Sequence, residues 1–234
     1  MAKSESKKVG GSVWTIVVAG GSGRRFGSLK QFAELGGRRV VDLSLEVANR
    51  CSDGVVLVVP AEDAQRENGV AGGPTRTASV RHGLAAVPAD ATVILVHDAA
   101  RPFASDHLYE SVVDAVARGA DGAVPGLPVT DTVKVIEVVE ASSIGSSASG
   151  AIPKVVNTPD RATMVAVQTP QAFRADVLRR AYLTDVDGTD DASLVESIGG
   201  TVVVVPGEAD NRKITHPEDL EWAREFLRAR GSDE

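Results

Sequence analysis

Apolar and polar positions alternate in blocks along this chain. Short unbroken apolar runs stand between longer stretches in which apolar residues return every three or four positions. Val13 to Val18, Val55 to Val59 and Thr92 to Val96 are the clearest runs. They are rich in β-branched residues, end at turn residues and lack the alternation of a half-exposed strand, so they predict strands covered on both faces. Between them, helical spacing predicts helices over Val40 to Ala48, Ser79 to Val87 and His107 to Ala117, with a further strand starting at Gly122 to Pro125. Asp176 to Leu183 reads as a helix, Thr189-Asp190-Asp191 as a capped helix start, and Val202 to Val205 as the last strand. Pro217 to Arg230 closes the chain as a packing helix with Leu220, Trp222, Ala223, Phe226 and Leu227 largely on one face. This alternation predicts an α/β fold, a mostly parallel sheet flanked by helices with right-handed crossovers. Ligands in such sheets bind beyond the carboxyl ends of the strands.

One segment departs from the pattern. From Thr130 to about Lys154, DTVKVIEVV alternates like an exposed antiparallel strand and ASSIGSSASGA suits a flexible hairpin tip. A protruding β arm over about residues 128–160 is expected. A lone hairpin is marginally stable, so the arm is expected to pack on a second subunit and form a homodimer. Residues 1–12, MAKSESKKVGGS, lack the apolar core of a signal peptide and are expected to be a disordered lead-in to one domain over residues 13–230.

Composition narrows the chemistry. A net charge of -7 leaves no basic field for nucleic acid, and no apolar run approaches the length needed to span a bilayer. Small-molecule chemistry is the better expectation. Cys51, the only cysteine, excludes an internal disulfide and a cysteine metal cluster, reads as a structural thiol, and fits a reducing cytoplasm.

The chemistry-bearing residues gather at the ends of the expected strands. After the first strand comes AGGSGRRFGSLK, residues 19–30. Gly20, Gly21 and Gly23 permit close approach of the backbone to an anion, and Arg24, Arg25 and Lys30 add fixed positive charge, as for a polyphosphate. A plain tight turn is the alternative. The spacing fits neither G-x-x-x-x-G-K-[ST] nor the dinucleotide motif G-x-G-x-x-G, since Phe26 stands where the third glycine belongs. Paired arginines suit developing charge in phosphoryl or nucleotidyl transfer. Gly72, Gly73 and Ser79 enter a helix and could read the edge of a small base, although glycine turns before helices are common. Asp98, in VHDAARP, ends the strand TVILV, where it could take a hard cation or serve as a turn residue. His97 reads as structural and Arg101 as orienting its loop.

In combination these motifs resemble a known family. AGGSGRRF with LKQF, GGPTRTASV, HDAARP, the segments around Asp131-Thr132, Asp160-Arg161 and TPQAF, Thr189-Asp190, and ADNRKIT are similar, in order, to the 2-C-methyl-D-erythritol 4-phosphate cytidylyltransferases. The resemblance covers about residues 13–227. It departs in Gly20, Phe26, Leu29, Pro74 and a shorter gap between Arg25 and Lys30. It implies transfer of a cytidylyl group from CTP to the sugar-alcohol phosphate, with Mg²⁺ as cofactor. Implied roles are Arg25, Lys30 and Lys213 in catalysis and Asp98 as metal ligand. Ala19, Gly20, Gly21, Gly23, Gly73, Ser79 and Ala99 would hold the nucleotide, and Thr132, Arg161, Thr169, Thr189 and Lys213 the acceptor, some from the partner subunit. Another acceptor such as ribitol 5-phosphate, a nucleotide-binding regulator without turnover, and a nicotinamide oxidoreductase remain the competing readings.

Overall fold

The structure is a computed structural model that describes residues 11–21, 29–140, 150–184 and 187–231. Most of the lead-in, the loop residues Gly23, Arg24 and Arg25, and the arm tip at 141–149 lie outside the described residues. In chain order the elements are β1 Ser12–Val18, β2 Glu34–Leu35, β3 Arg38–Arg39, α1 Val40–Cys51, β4 Gly54–Val59, β5 Val70–Ala71, α2 Arg76–Ala86, β6 Ala91–Asp98 and α3 Asp106–Ala117. They continue with β7 Gly122–Pro128, β8 Val135–Glu140, β9 Ala151–Asn157, β10 Val165–Val167, β11 Gln171–Arg174, α4 Ala175–Ala181, α5 Asp191–Ser197, β12 Val202–Pro206 and α6 Pro217–Gly231.

The main sheet has eight strands. β6, β1, β4 and β5 run parallel, with Ile16 opposite Val56 on one side and Val96 on the other. Their apolar runs bury both faces, as the unbroken pattern requires. Ile16, Val56, Val58, Ile94 and Val96 face a core completed by residues of α2, α4 and α5. Val17, Leu57, Val59, Val93 and Leu95 point the other way, onto α1 and α3. A third cluster packs Phe103, Leu35 and Val40 against Leu220 and Ala223 of α6, where Trp222 and Phe226 stack with ring centroids 5.2 Å apart. No helix among the described residues is long and apolar enough to cross a membrane.

The structure adds short strands that the pattern did not single out, β2, β3, β5, β10 and β11, of which β11 matters most for the site. β11 inserts antiparallel between β6 and β7, while β7 pairs in parallel with β12 on its other edge. Residues 171–174, QAFR, are too short for periodicity to register, and only the long-range partners Val93 to Val96 make them a strand. The helix expected to begin at Ser79 begins at Arg76, because Thr75 caps it by accepting from the Ala78 N–H at 3.1 Å. β8 and β9 form a separate antiparallel pair, and Val135, Ile136, Val138, Val155 and Val156 are exposed on it. Cys51 is half-buried at the end of α1, and burial, reinforced by the Asp106 charge, pushes its thiol up to about 12, consistent with a structural role.

Candidate active site

The carboxyl ends of β1, β4 and β6 open into a cleft of about 600 Å³, lined among others by Ala19, Gly20, Gly21, Lys30, Gly73, Arg76, Ser79, Asp98, Ala99 and Lys213. That volume suits a nucleotide-sized ligand. A second hollow of about 510 Å³ lies between Glu34 and Gly36 at the short β2 strand and Arg224, Leu227 and Arg228 of α6, away from the ends of β1, β4 and β6.

Strand geometry builds the cleft wall. The Ala19 N–H donates to Val58 O at 2.7 Å, Gly72 N–H to Val59 O at 2.7 Å and Ala99 N–H to Val18 O at 3.0 Å, so three strand-end turns lie side by side. Close approach explains the glycines here. A Cβ on Gly72 would lie 3.1 Å from Ser79 Oγ and 3.2 Å from Val59 O, and one on Gly20 would lie 3.3 Å from the same hydroxyl. Ser79 Oγ accepts from the Gly73 N–H at 3.1 Å and donates to Thr75 O at 2.9 Å, which folds the glycine turn onto the start of α2.

Charge converges at the floor. Lys213 Nζ donates to Asp98 Oδ2 at 2.5 Å, and Arg76 reaches Asp98 Oδ1 at 3.4 Å. Burial alone would raise the Asp98 carboxyl, but the Arg76 and Lys213 charges outweigh it and hold Asp98 well below the usual carboxylate range. Lys30 Nζ donates to Ile214 O at 2.8 Å, so the lysine after the glycine loop is tied to the segment that carries Lys213. That segment is anchored on both sides. Asn211 Nδ2 donates to Thr169 O at 2.9 Å, and the Ile214 N–H donates to Ala100 O at 2.8 Å.

A buried relay sets Asp98 from below. The Asp98 N–H donates to Thr169 Oγ1 at 3.0 Å, and Thr169 Oγ1 lies 3.2 Å from His97 Nδ1. His97 Nε2 lies 3.1 Å from Arg101 O, which can only accept, so Nε2 carries the proton and Nδ1 accepts from Thr169. The chain of donors needs a neutral ring. Burial pushes the His97 imidazole down to about 4. Arg101 Nη1 donates to Asn211 O at 2.7 Å and so clamps the loop after β6 to the Lys213 segment.

Not every expected site residue lines the cleft. Ala19, Gly20, Gly21, Lys30, Gly73, Ser79, Asp98, Ala99 and Lys213 do. Thr169 is buried beneath Asp98, where its hydroxyl is engaged by Asp98 and His97. Thr132 and Arg161 are exposed at the base of the β8–β9 pair, where Arg161 Nη1 donates to Thr130 O at 2.6 Å. Thr189 is exposed just before α5, in a segment whose Asp187 accepts from Thr75 Oγ1 at 3.4 Å at the cleft rim. Gly23 and Arg25 lie outside the described residues. Arg76 and Gln31 also line the cleft, and Asp191, fully buried, ion-pairs with Arg76 at 2.7 Å. Arg76 sits inside the glycine-turn motif. Asp191 looked like a second capping residue beside Asp190 and carried no other local mark.

A mostly parallel α/β sheet whose strand-end turns wall a cleft with lysines, an arginine and a carboxylate is the architecture of a nucleotidyltransferase-type α/β protein, with the cleft at the carboxyl ends of the strands. The sequence model of the 2-C-methyl-D-erythritol 4-phosphate cytidylyltransferase family, IspD, matches residues 13–229, and the chain belongs to that family. It is 42% identical to the 2-C-methyl-D-erythritol 4-phosphate cytidylyltransferase of Nocardia farcinica, over 95% of this chain and 96% of that protein. It is 46% identical to the bifunctional enzyme IspD/IspF of Anaeromyxobacter dehalogenans over 92% of its own length but only 56% of that protein, so it spans little more than half of that relative. Among solved structures, 4-diphosphocytidyl-2C-methyl-D-erythritol synthase from Anaerococcus prevotii superposes with a TM-score of 0.77 at 30% identity, covering 94% of this chain and 99% of that one.

Proposed function

We propose that the protein transfers a cytidylyl group from CTP to 2-C-methyl-D-erythritol 4-phosphate, releasing pyrophosphate. The observation that carries this reading is the convergence of Lys30, Arg76, Asp98 and Lys213 on one glycine-walled cleft at the strand ends, in a chain of this family. An oxygen of the acceptor phosphate attacks the α-phosphorus of CTP in line. The bond from the α-phosphorus to the bridging oxygen breaks, and pyrophosphate leaves with the electron pair. A phosphate dianion is already nucleophilic, so no general base is needed. The chain's task is to position the two phosphates and to meet the negative charge that builds on the equatorial and leaving oxygens.

Lys30 and Lys213 supply that charge, with Arg25 in the glycine loop as a third cation. Lys213 is suited to move, since a lysine is a flexible point charge and its carboxylate partner is shared with Arg76. The glycine turn at Gly72 and Gly73, held by Ser79, shapes the pocket for a small base. Arg161, Thr132 and Thr189 serve the acceptor, with residues from a partner subunit completing the site. Among the described residues Asp98 is the only carboxylate that lines the cleft, and no group of three or more metal-type side chains exists. That donor set fits a hard cation such as Mg²⁺, which takes one or two carboxylates and completes its shell with phosphate oxygens and water. Bound at Asp98, Mg²⁺ would neutralise triphosphate charge.

A homodimer through the β8–β9 pair belongs to the same reading. The pair stands apart from the main sheet and exposes Val138 at 72% and Ile136 at 54%, which a second copy would cover. So does a cytoplasmic setting, supported by a single cysteine. The test is pyrophosphate release with CTP and Mg²⁺, offering 2-C-methyl-D-erythritol 4-phosphate and ribitol 5-phosphate separately. Turnover with the first alone is expected. Turnover with the second alone would move the enzyme to another acceptor, and silence with both would remove the cytidylyltransferase reading.

A further inference from the structure

Asp98 has two cationic partners, and they are held differently. Lys213 is a single point charge, its side chain 41% exposed, on a segment that borders the cleft. Arg76 is 27% exposed and gripped from behind: its Nη2 donates to Asp191 Oδ2 at 2.7 Å while Nε and Nη2 reach Asp98 Oδ1 at 3.4 Å. Asp191 cannot swing away. Its side chain is completely buried, and its other oxygen accepts from the Tyr182 hydroxyl. The segment that carries it is fixed as well, because the neighbouring Asp190 caps α5 by accepting from the Ser193 N–H at 2.9 Å and receives Gln171 Nε2 at 3.0 Å from β11. A buried charge pair this well enclosed keeps its geometry, since any separation would strand a carboxylate in a dry interior.

We propose that Arg76 is a positioning residue for Asp98: locked by Asp191 and Tyr182, it remains on Asp98 throughout as a permanent half of the counter-charge, which leaves Lys213 as the releasable half that can transfer to a bound triphosphate. The inference deepens the cytidylyl-transfer reading and rests on it for the identity of the triphosphate. A single fixed cation leaves Asp98 only partly neutralised when Lys213 departs. Two fixed cations would leave the carboxylate closed to a divalent ion, and none would bind that ion tightly without holding the carboxylate in place. Arg76 touches Asp98 and so acts through it.

The test uses Arg76→Gln in the full chain, with Mn²⁺ alone as the probe of Asp98, followed by water-proton relaxation in the absence of nucleotide. Loss of the fixed cation is expected to tighten Mn²⁺ binding at least fivefold. With CTP, Mg²⁺ and acceptor, the same variant is expected to lose at least tenfold in kcat while the KM for CTP stays within threefold, because Asp98 is charged but no longer held. A purely structural arginine would lower thermal stability and leave both readouts unchanged per folded molecule. Arg76→Gln strands the buried Asp191, so the double variant Arg76→Gln/Asp191→Asn, which removes both charges together, is measured in parallel and is expected to show the same tightening. Mn²⁺ binding no tighter than in the unaltered protein, whether both bind or neither does, overturns the proposal, as does an unchanged kcat. Should the unaltered protein release no pyrophosphate, the cytidylyl-transfer reading falls, and the Mn²⁺ comparison still decides the role of Arg76.

Discussion

Acid should destabilise this protein through His97 before it removes most of the stability supplied by the paired carboxylates. The ring is 1% exposed, donates from Nε2 to Arg101 O and accepts at Nδ1 from Thr169, so a second proton would place a charge in a dry interior and remove the acceptor that the Thr169 hydroxyl uses. Burial leads the downward shift to about 4 from an ordinary 6.5. Because the folded value lies below the unfolded one, the unfolded chain takes the proton first. The stability that His97 contributes is complete above pH 6.5 and is lost as pH falls from 6.5 toward 4. Between pH 7 and pH 4.5 the loss is roughly 2.5 kcal/mol, since each unit of difference is worth about 1.4 kcal/mol. Asp98, Asp42, Glu67, Asp106 and Asp219 are all held below their ordinary values of 3.8, or 4.5 for Glu67, so the stability they supply fades mainly below about pH 4.5, overlapping only the lower end of this window. Urea unfolding at pH 7, 5.5 and 4.5, read by tryptophan fluorescence, measures the slope. His97→Gln, which keeps a donor and an acceptor but does not titrate, should be less stable at pH 7 and lose about 2.5 kcal/mol less between pH 7 and pH 4.5. Equal losses in the two proteins would refute the buried neutral histidine and the donor chain built on it.

Other consequences follow from the same geometry. Lys213→Ala should lower kcat by a factor of about 100 with a melting temperature within a few degrees, because it removes positioned charge from a half-exposed site; pyrophosphate release and a thermal melt together check this. Arg25→Ala and Lys30→Ala should each lower turnover by a similar order while the fold survives, and near-normal turnover in both would contradict the phosphate-cradle reading. Gly73→Ala places a Cβ 2.4 Å from the Ala78 Cβ at the start of α2, so a loss of about 1–3 kcal/mol is expected in urea unfolding. Val138→Lys puts a charge on the most exposed valine of the β8–β9 pair and should shift sedimentation from dimer to monomer at micromolar concentration.

Much of the fold is written locally. The runs at Val13, Val55 and Thr92 announce strands buried on both faces because nothing polar interrupts them, and β1, β4 and β6 form where those runs lie. The cleft is also local in origin: the glycine turns and Asp98 each end a strand, and parallel strands bring their ends together. Tertiary structure decided what no window of sequence contains. β11 is a strand only because β6 and β7 offer it two edges. Thr169, expected beside the acceptor, lies beneath Asp98 because the turn before β11 carries it there. Asp191, a second acid at a helix start by sequence, is the buried anchor of an arginine 115 positions away. Burial turns such a residue from a solvated charge into one that must keep its partner, and burial is a property of the assembled chain, set by what packs around a residue once distant segments have met.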